Sequence, residues 1–474
     1  MKLLYYNTVV LFLRQYKIET RPNAGPGFWL MLLLPSALII SVAQHPIIST
    51  STYKLSSIFS LGLILTSFTF MHQISQTRLK LLNIWLVTSC LIVAVLFRIC
   101  LHRGWPFSVF SAFVATFFYH KLYIYFLQKL PKCFTLGEAA ICTQSYTLLL
   151  YFTSVNVWQW VRKPASNVVQ MSTLTIQLGL LAISTIIFLA YKLRITSSFK
   201  FYSLTAASFV LIVLLPLQFL MRINPLLWIL NLIWDDLFAN MVVVYWAFFS
   251  IIAIAAVNLR IKKAQKASTA VRKIFHLLTV AVFIPGLLYN CSFLYLATGV
   301  ILGIFFMLEV LRVLNMPPLA EVLQNGLVVF CDEKDTGIIA FTPMYLLAGC
   351  SLPLWIHPSP CDVTNSAVFN LLPLLSGLLT IGIGDTAASV VGSKFGKFHW
   401  PGSRKTIEGT LACILSQLFV IFAFVYLDYV KLVTSVQYVK TVSAVIVTSI
   451  VEAKTDQVDN LVLPFVMYLF FIVV

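Results

Sequence analysis

Long apolar runs follow one another along almost the whole chain of 474 residues. Hydrophobic residues make up 60% of the chain and charged residues only 10%. A membrane-spanning helix needs about 20 apolar residues, and by that measure we predict roughly 14 to 15 spans. The expected fold is therefore all-α, that of a polytopic integral membrane protein. The predicted spans centre on Leu34, Ile64, Ile92, Phe113, Leu148, Ile183, Val210, Val244, Val280, Leu302, Tyr345, Leu374, Leu418, Val445 and Val466.

The formal net charge of +17 does not indicate nucleic-acid binding. The basic residues stand in short loops between apolar runs, where they fit membrane orientation and contacts with anionic lipids. We therefore expect membrane lipids as partners and no nucleic acid.

The nine cysteines are scattered without a Cys-x-x-Cys pair. This pattern suggests neither a disulfide framework nor a zinc site, and we expect most cysteines to be small apolar fillers between helices. The first apolar run is not expected to be a cleavable signal. It is short and is interrupted by Arg14 and Lys17.

Acidic residues divide the chain into two parts. Only four of the sixteen precede position 309, and twelve lie from Glu309 onward. We predict an N-terminal transmembrane bundle over residues 1–257 and a C-terminal catalytic transmembrane domain over residues 258–474. The basic stretch from Asn258 to Lys273 marks the boundary.

In the second part of the chain, an even number of predicted membrane crossings separates each polar cluster from the next. Alternating crossings return each cluster to the same membrane face, although the clusters are far apart in the sequence. Because that face carries the Lys and Arg excess, we expect it to be cytoplasmic. The clusters are Arg272-Lys273-x-x-His276, Glu309 with Arg312, Asp385 with the loop after it, and Glu452 with Asp456 and Asp459.

Residues 382–410 hold the densest group of candidate site residues. An acid beside a membrane span is costly, so Asp385 is by default a functional candidate. Gly382 and Gly384 leave room for a phosphate or a metal to approach the backbone. Ala388, Gly392 and Gly396 recur every four residues, a stripe that by itself also predicts a close helix–helix contact.

The loop after this stripe is basic and ends at a predicted helix start. Four cations, Lys394, Lys397, Arg404 and Lys405, could hold phosphate oxygens. Thr406 offers a hydroxyl at the start of the next helix, and Glu408 could bind a divalent ion or cap that helix. The alternative interpretation is a solvated loop on the positive side of the membrane.

The remaining clusters carry weaker signals. Arg272, Lys273 and His276 open a span, and bases at such a place are common. The carboxylates of Glu452, Asp456 and Asp459 could share Mg²⁺, which typically uses one or two carboxylates plus substrate phosphates. An acidic solvated turn is an equally open interpretation. Glu309 and Arg312 could simply pair, and the turn from Asp332 through Lys334 to Asp335 fits a hydrated loop.

These motifs together resemble the CTP-dependent polyprenol kinase family. The resemblance rests on Arg272-Lys273-x-x-His276, on the ladder from Asp385 to Lys397, and on Lys405-Thr406-x-Glu408-Gly409. It implies transfer of the CTP γ-phosphate to the terminal hydroxyl of dolichol, which supplies the lipid carrier for protein glycosylation. It further implies a multi-pass protein of the endoplasmic reticulum membrane with its CTP site facing the cytosol.

The resemblance also implies roles for individual residues. The CTP-binding segment runs from Gly384 through Gly396 to Gly409, with Arg272 and Lys273 nearby. Asp385 would hold Mg²⁺ together with Asp456 or Asp459, and Lys397 and Lys405 would hold phosphates. Catalysis would involve Asp385, His276 and Lys405, and the sequence leaves open whether Asp385 or His276 is the base.

Three rival functions stay open at this point. The chain could be another CTP-dependent lipid kinase, of the phytol or diacylglycerol type. It could be a CDP-lipid cytidylyltransferase, although Gly402-Ser403-Arg404 before Lys405 and Ser389 after Ala388 depart from the motif of those enzymes. A transporter would also place ionisable residues among its helices, but closer to the bilayer midplane.

Overall fold

The computed structural model describes residues 2–75, 79–165, 167–234, 236–262, 269–330, 334–361 and 371–474. Helices account for the regular structure of this part, and its only β pairing is an isolated bridge between His399 and Thr406. Nine of its helices are long and apolar enough to cross a membrane, and five shorter helices are also apolar. All the predicted span centres lie in helical segments. The prediction of an all-α polytopic membrane protein is confirmed.

In the N-terminal half, the described residues form twelve α-helices. A 3₁₀ segment, Phe28–Leu32, precedes the second helix, and π-helical segments, Val114–Phe118 and Phe209–Leu214, join two pairs into longer rods. The helices are α1 (Lys2–Tyr16), α2 (Leu33–Gln44), α3 (Ser51–Ser75), α4 (Leu79–Cys100), α5 (Trp105–Phe113), α6 (Tyr119–Lys129), α7 (Leu136–Arg162), α8 (Val168–Lys192), α9 (Ser198–Ser208), α10 (Leu215–Met221), α11 (Pro225–Trp234) and α12 (Leu237–Lys262).

Eight further α-helices lie in the described residues of the C-terminal half. A 3₁₀ segment, Leu372–Leu375, and a π-helical segment, Leu378–Asp385, lead directly into α17. The helices are α13 (Thr269–Tyr289), α14 (Cys291–Val313), α15 (Ala320–Phe330), α16 (Thr342–Ile356), α17 (Thr386–Phe395), α18 (Ile407–Tyr426), α19 (Ser435–Lys454) and α20 (Asp459–Phe471).

The two halves share buried apolar packing. One core joins residues of α2, α3 and α7 to Val462, Phe465 and Tyr468 of α20. Ser41 of α2 and the Tyr468 hydroxyl lie within hydrogen-bond distance, 2.9 Å, in this buried interface. The N-terminal helices therefore support the last helix of the chain. The domain division at residue 257 stays a prediction.

Large apolar side chains also cover much of the outer surface. Trp234, Phe219, Val244 and Phe419 are each at least 70% exposed. In water such a surface would be costly, whereas lipid chains accept it. The exposed apolar surface therefore fits a protein that is surrounded by lipid.

Cys291 and Cys361 form a disulfide with a Cα–Cα distance of 5.3 Å. The expectation that the cysteine pattern suggests no disulfide was wrong for this pair. The two residues are 70 positions apart, and spacing does not reveal that α14 begins beside the segment that follows α16. Lys273 lies near the start of α13 and Lys334 precedes α16, whereas Cys291 and Cys361 follow the other ends of these two helices. The disulfide therefore lies one helix length away from the charged residues discussed next.

Candidate active site

Asp385 stands where the π-helical segment passes into α17. π-Helical turns are rare and are found frequently at functional sites. Gly382 and Gly384 precede it, and neither has free space beside its Cα. A Cβ on Gly382 would lie 2.1 Å from the Val280 side chain, and one on Gly384 would lie 2.6 Å from Gln417. These glycines thus let α13 and α18 pack close to the segment that carries Asp385, and a role for Gly384 in nucleotide binding stays a prediction.

The small-residue stripe of α17 packs against the start of α18. A Cβ on Gly409 would lie 2.8 Å from the Ala388 carbonyl oxygen, and one on Gly392 would lie 2.9 Å from the Thr406 hydroxyl. Gly396 is equally crowded, with the Thr406 methyl carbon 2.5 Å from its ideal Cβ position. The close helix–helix contact that the stripe predicts is confirmed. This contact fixes the position of Asp385 relative to the loop 396–406.

Helix α13 brings two more groups to Asp385. The Lys273 ammonium forms an ion pair with Asp385 Oδ2, and His276 Nε2 lies 3.7 Å from the same oxygen. His276 Nδ1 lies 3.1 Å from the Arg272 carbonyl oxygen, which can only accept a hydrogen bond. Nδ1 therefore carries the proton, and in the neutral ring the Nε2 atom that lies near Asp385 keeps its lone pair. All three side chains are largely buried.

Lys405 joins the loop to the two last helices. Its ammonium pairs with the Glu452 carboxylate, donates to the Glu452 carbonyl oxygen at 2.7 Å, and lies 3.9 Å from Asp459 Oδ2. Burial alone would lower the pKa of Lys405, but the carboxylates of Asp459, Glu452 and Asp385 outweigh that effect and raise the pKa above its ordinary value. Lys405 is therefore a permanent cation at physiological pH.

Lys334 is a site residue that sequence reasoning missed. Its ammonium donates to Asp459 Oδ1 at 2.8 Å and to the Gln457 carbonyl oxygen at 3.2 Å. The sequence places it in an acidic turn whose residues 332 and 333 lie outside the described part. Asp335 of that turn accepts from the Phe341 and Thr342 amides at the start of α16. In the sequence, a lysine among acidic residues of a polar turn does not indicate a site, because Asp459, the carboxylate that it contacts, is 125 residues away.

The loop between α17 and α18 is held by its own polar groups. Thr406 Oγ1 accepts from the Gly409 amide at 3.2 Å, so the predicted helix cap is confirmed. Glu408 accepts from the Lys397 and Phe398 amides at 3.0 and 3.1 Å, which ties the loop to the first turn of α18. The side chains of Lys394, Lys397 and Arg404 are exposed, in contrast to that of Lys405.

Two other predicted groups lie apart from this cluster. Glu309 and Arg312 pair at 2.6 Å, as the sequence allows, and Glu309 also accepts from the Ala340 amide at 2.7 Å. The Asp456 carboxylate accepts from the Gly25 amide at 2.5 Å and from the Gln457 side chain at 2.6 Å. A role for Asp456 as a metal ligand stays a prediction.

The clustered groups alternate in charge. Lys273, Lys405 and Lys334 each lie against at least one of the carboxylates Asp385, Glu452 and Asp459. Six chain segments supply these side chains. Such an arrangement offers lysines for phosphate oxygens and hard oxygen donors for a divalent cation.

The donor set fits Mg²⁺ only if a substrate completes it. Within the described residues, no three His, Cys, Asp or Glu side chains form a group that could hold a metal by itself. Mg²⁺ in nucleotide sites typically takes one or two carboxylates plus substrate phosphates. Asp385 and Asp459 are acidic oxygen donors of that kind, both next to lysines that a triphosphate could also engage.

Comparisons with known proteins agree with this chemistry. A family model described as dolichol kinase matches residues 108–415. The chain belongs to the dolichol kinase family. A curated dolichol kinase of Mus musculus is 32% identical over 71% of this chain, and one of Bos taurus is 31% identical over 80% of this chain and 72% of its own length. That of Saccharomyces cerevisiae is 27% identical over 60% of this chain and 52% of its own.

The extent of these matches is limited. The chain spans 65% of the length of the mouse and human relatives that it matches. No solved structure matches it. All members of the charged cluster except Glu452 and Asp459 lie inside residues 108–415, the part matched by the family model.

Proposed function

We propose that this protein phosphorylates the terminal hydroxyl of dolichol. The observation that carries the proposal is the alternating cluster of Lys273, Asp385, Lys405, Glu452 and Asp459 at one end of an apolar helical bundle. A phosphoryl donor is polar and highly charged, whereas dolichol is an apolar chain with one hydroxyl group. A charged cluster at one end of a lipid-exposed bundle suits both substrates. The names of the relatives support dolichol as the acceptor.

CTP is the proposed donor, as the resemblance of the loop motif implies. The exposed Lys394, Lys397 and Arg404 would meet the nucleotide from solvent, and Lys405 would hold phosphate oxygens inside the cluster. Asp385 and Asp459 would hold Mg²⁺, which when bound neutralises charge on the phosphates. Phosphoryl transfer needs mainly positioning and charge neutralisation, and these side chains supply both.

The transfer is an in-line displacement at the γ-phosphorus. A bond forms between the dolichol oxygen and the γ-phosphorus, the bond to the β-bridging oxygen breaks, and CDP leaves with that electron pair. The hydroxyl proton passes to His276, whose Nε2 keeps a lone pair beside Asp385. Asp385 itself is paired with Lys273 and is better suited to hold charge in place. His276 is thus the proposed base.

The site is proposed to face the cytosol from the endoplasmic reticulum membrane. Disulfides persist in oxidising compartments such as the lumen of this organelle. Cys291 and Cys361 belong to the end of the bundle opposite Lys273 and Lys334, which supports a luminal disulfide and a cytosolic site. The Lys and Arg excess near the cluster supports the same orientation.

Isotope tracing with purified protein tests the reaction. Dolichol would be incubated with Mg²⁺ and CTP labelled at either the α or the γ phosphate, with ATP as the alternative donor. We expect label in the lipid product only from γ-labelled CTP, with CDP released. Label from α-labelled CTP would instead establish a cytidylyltransferase, and preference for ATP would overturn the donor assignment.

A further inference from the structure

The turn between α19 and α20 is held by charged side chains from distant parts of the chain. One backbone group in each of three consecutive residues forms a hydrogen bond with such a charged side chain. The three residues are Asp456, Gln457 and Val458. The Asp456 carbonyl accepts from Arg21 at 3.1 Å, the Gln457 carbonyl accepts from Lys334 at 3.2 Å, and the Val458 amide donates to Glu138 at 2.9 Å. The turn directly connects Glu452 and Asp459, two carboxylates of the cluster.

Arg21 and Glu138 form a buried ion pair beneath this turn. Two hydrogen bonds join them, at 2.7 and 3.2 Å, and their side chains are 5% and 0% exposed. Glu138 also accepts from the Thr135 amide at 2.9 Å, which completes a capping box at the start of α7. Every oxygen of this carboxylate is therefore committed, and its position is fixed by α7.

Side chains and backbone of the N-terminal segment complete the attachment. The Gly25 amide donates to Asp456, and the Gly25 carbonyl accepts from the Gln457 side chain at 3.1 Å. Thr135 Oγ1 donates to Gln457 Oε1 at 2.6 Å. These contacts link the N-terminal bundle to the turn directly.

We propose that the Arg21–Glu138 ion pair positions the nucleotide site by fixing residues 456–458. Arg21 and Glu138 act as positioning residues, since they touch the turn and not the reacting groups. With the turn fixed, Asp459 and Glu452 are held on either side of Lys405. The proposal rests on the proposed function only for its effect on Mg²⁺ and CTP, since the attachment of the turn can be measured in any case.

The test variant replaces both partners, because one buried charge left unpaired would endanger folding. Arg21→Met with Glu138→Gln removes both charges, and glutamine can still serve in the capping box. The matched control is Glu19→Gln with Lys132→Gln. That pair joins the same two segments at 3.5 Å, but both of its side chains are more than half exposed and it does not contact the turn.

Two measurements on purified, folded protein test whether the ion pair positions the turn. Hydrogen–deuterium exchange of the peptide covering residues 455–459 is expected to accelerate in the test variant and not in the control. The Mg²⁺ concentration for half-maximal activity is expected to rise about tenfold, with the KM for dolichol unchanged, as is typical when outer-shell partners of a metal site are lost. An unchanged Mg²⁺ requirement in a folded variant, or unchanged exchange, would overturn the proposal.

Failure of the proposed function would have a different signature. Wild-type protein would then form no dolichyl phosphate, while the exchange experiment would still report whether the ion pair holds the turn. Faster exchange together with a lowered unfolding temperature and normal kinetics would make the pair purely structural, which contradicts a positioning role.

Discussion

The role of each charged side chain in the site depends on the residues that it contacts, which are distant in the sequence. Lys405 contacts Glu452, 47 residues away, and lies 3.9 Å from Asp459. Its raised pKa keeps the ammonium charged, so it can neutralise a phosphate without any change in protonation. Lys394, Lys397 and Arg404 are exposed and lack this setting. The predicted cations therefore comprise one partly buried lysine that contacts carboxylates, Lys405, and three solvent-facing groups.

Lys405→Met is expected to raise the KM for CTP by about ten- to a hundredfold, the range for a lost hydrogen bond to a charged group. Dolichol binding should be unaffected. Initial rates at varied CTP give the answer. The control is Lys431→Met, an exposed lysine in the connection between α18 and α19. A KM for CTP equal in the two variants would contradict the assigned role of Lys405.

His276→Gln should lower kcat by about a hundredfold or more, the usual loss when a general base is removed. The KM for CTP should stay close to wild type, because His276 contacts Asp385 and not the proposed phosphate cations. Steady-state kinetics at saturating dolichol separate the two constants. A normal kcat would exclude His276 as the base and leave Asp385 as the remaining candidate.

At the scale of elements, the contact between α17 and α18 is the main device that shapes the site. Sequence alone predicted this contact from the stripe Ala388, Gly392 and Gly396, and predicted the Thr406 cap, because both are local patterns with a fixed period or position. It could not predict Lys334 or the Arg21–Glu138 pair. Those contacts join residues more than 100 positions apart, and no periodic pattern encodes which distant loops meet.

Gly409→Ala is expected to destabilise the protein by about 1–3 kcal/mol, the usual cost of overpacking. Its Cβ would lie 2.8 Å from the Ala388 carbonyl oxygen, and a carbonyl of the backbone cannot move aside cheaply. Gly179→Ala is the control, since nothing lies within 4 Å of its Cβ position in α8. Thermal unfolding in detergent compares them. Equal unfolding temperatures would show that the α17–α18 contact is looser than described.

At the scale of the whole molecule, one end carries charges and the other carries a disulfide. The even number of predicted spans between polar clusters predicted that the clusters of the C-terminal half meet at one end of the molecule. The ion pairs that Lys405 and Lys334 form with Glu452 and Asp459 agree with this prediction. The cysteine pattern gave no hint of the Cys291–Cys361 bond, because a pairing across 70 residues depends on tertiary structure.

Cys291 and Cys361 are expected to resist maleimide labelling until a reductant is added. Mass spectrometry of alkylated peptides from protein purified without reductant measures this. Cys100 is exposed and free, and it serves as the control that should react without reduction. Labelling of Cys291 before reduction would contradict both the disulfide and the luminal assignment of that end.

The most direct test of the account compares two aspartates in one assay. Asp385 lies in the charged cluster, whereas the Asp456 carboxylate accepts from the Gly25 amide and from the Gln457 side chain, and the single oxygen of asparagine can keep the bond to Gly25. Formation of dolichyl phosphate from γ-labelled CTP would be measured for Asp385→Asn and Asp456→Asn at equal amounts of folded protein. We predict a loss of about a hundredfold or more for Asp385→Asn and activity near wild type for Asp456→Asn. Near-normal turnover by Asp385→Asn would contradict the proposal that the charged cluster around Asp385 is the catalytic site.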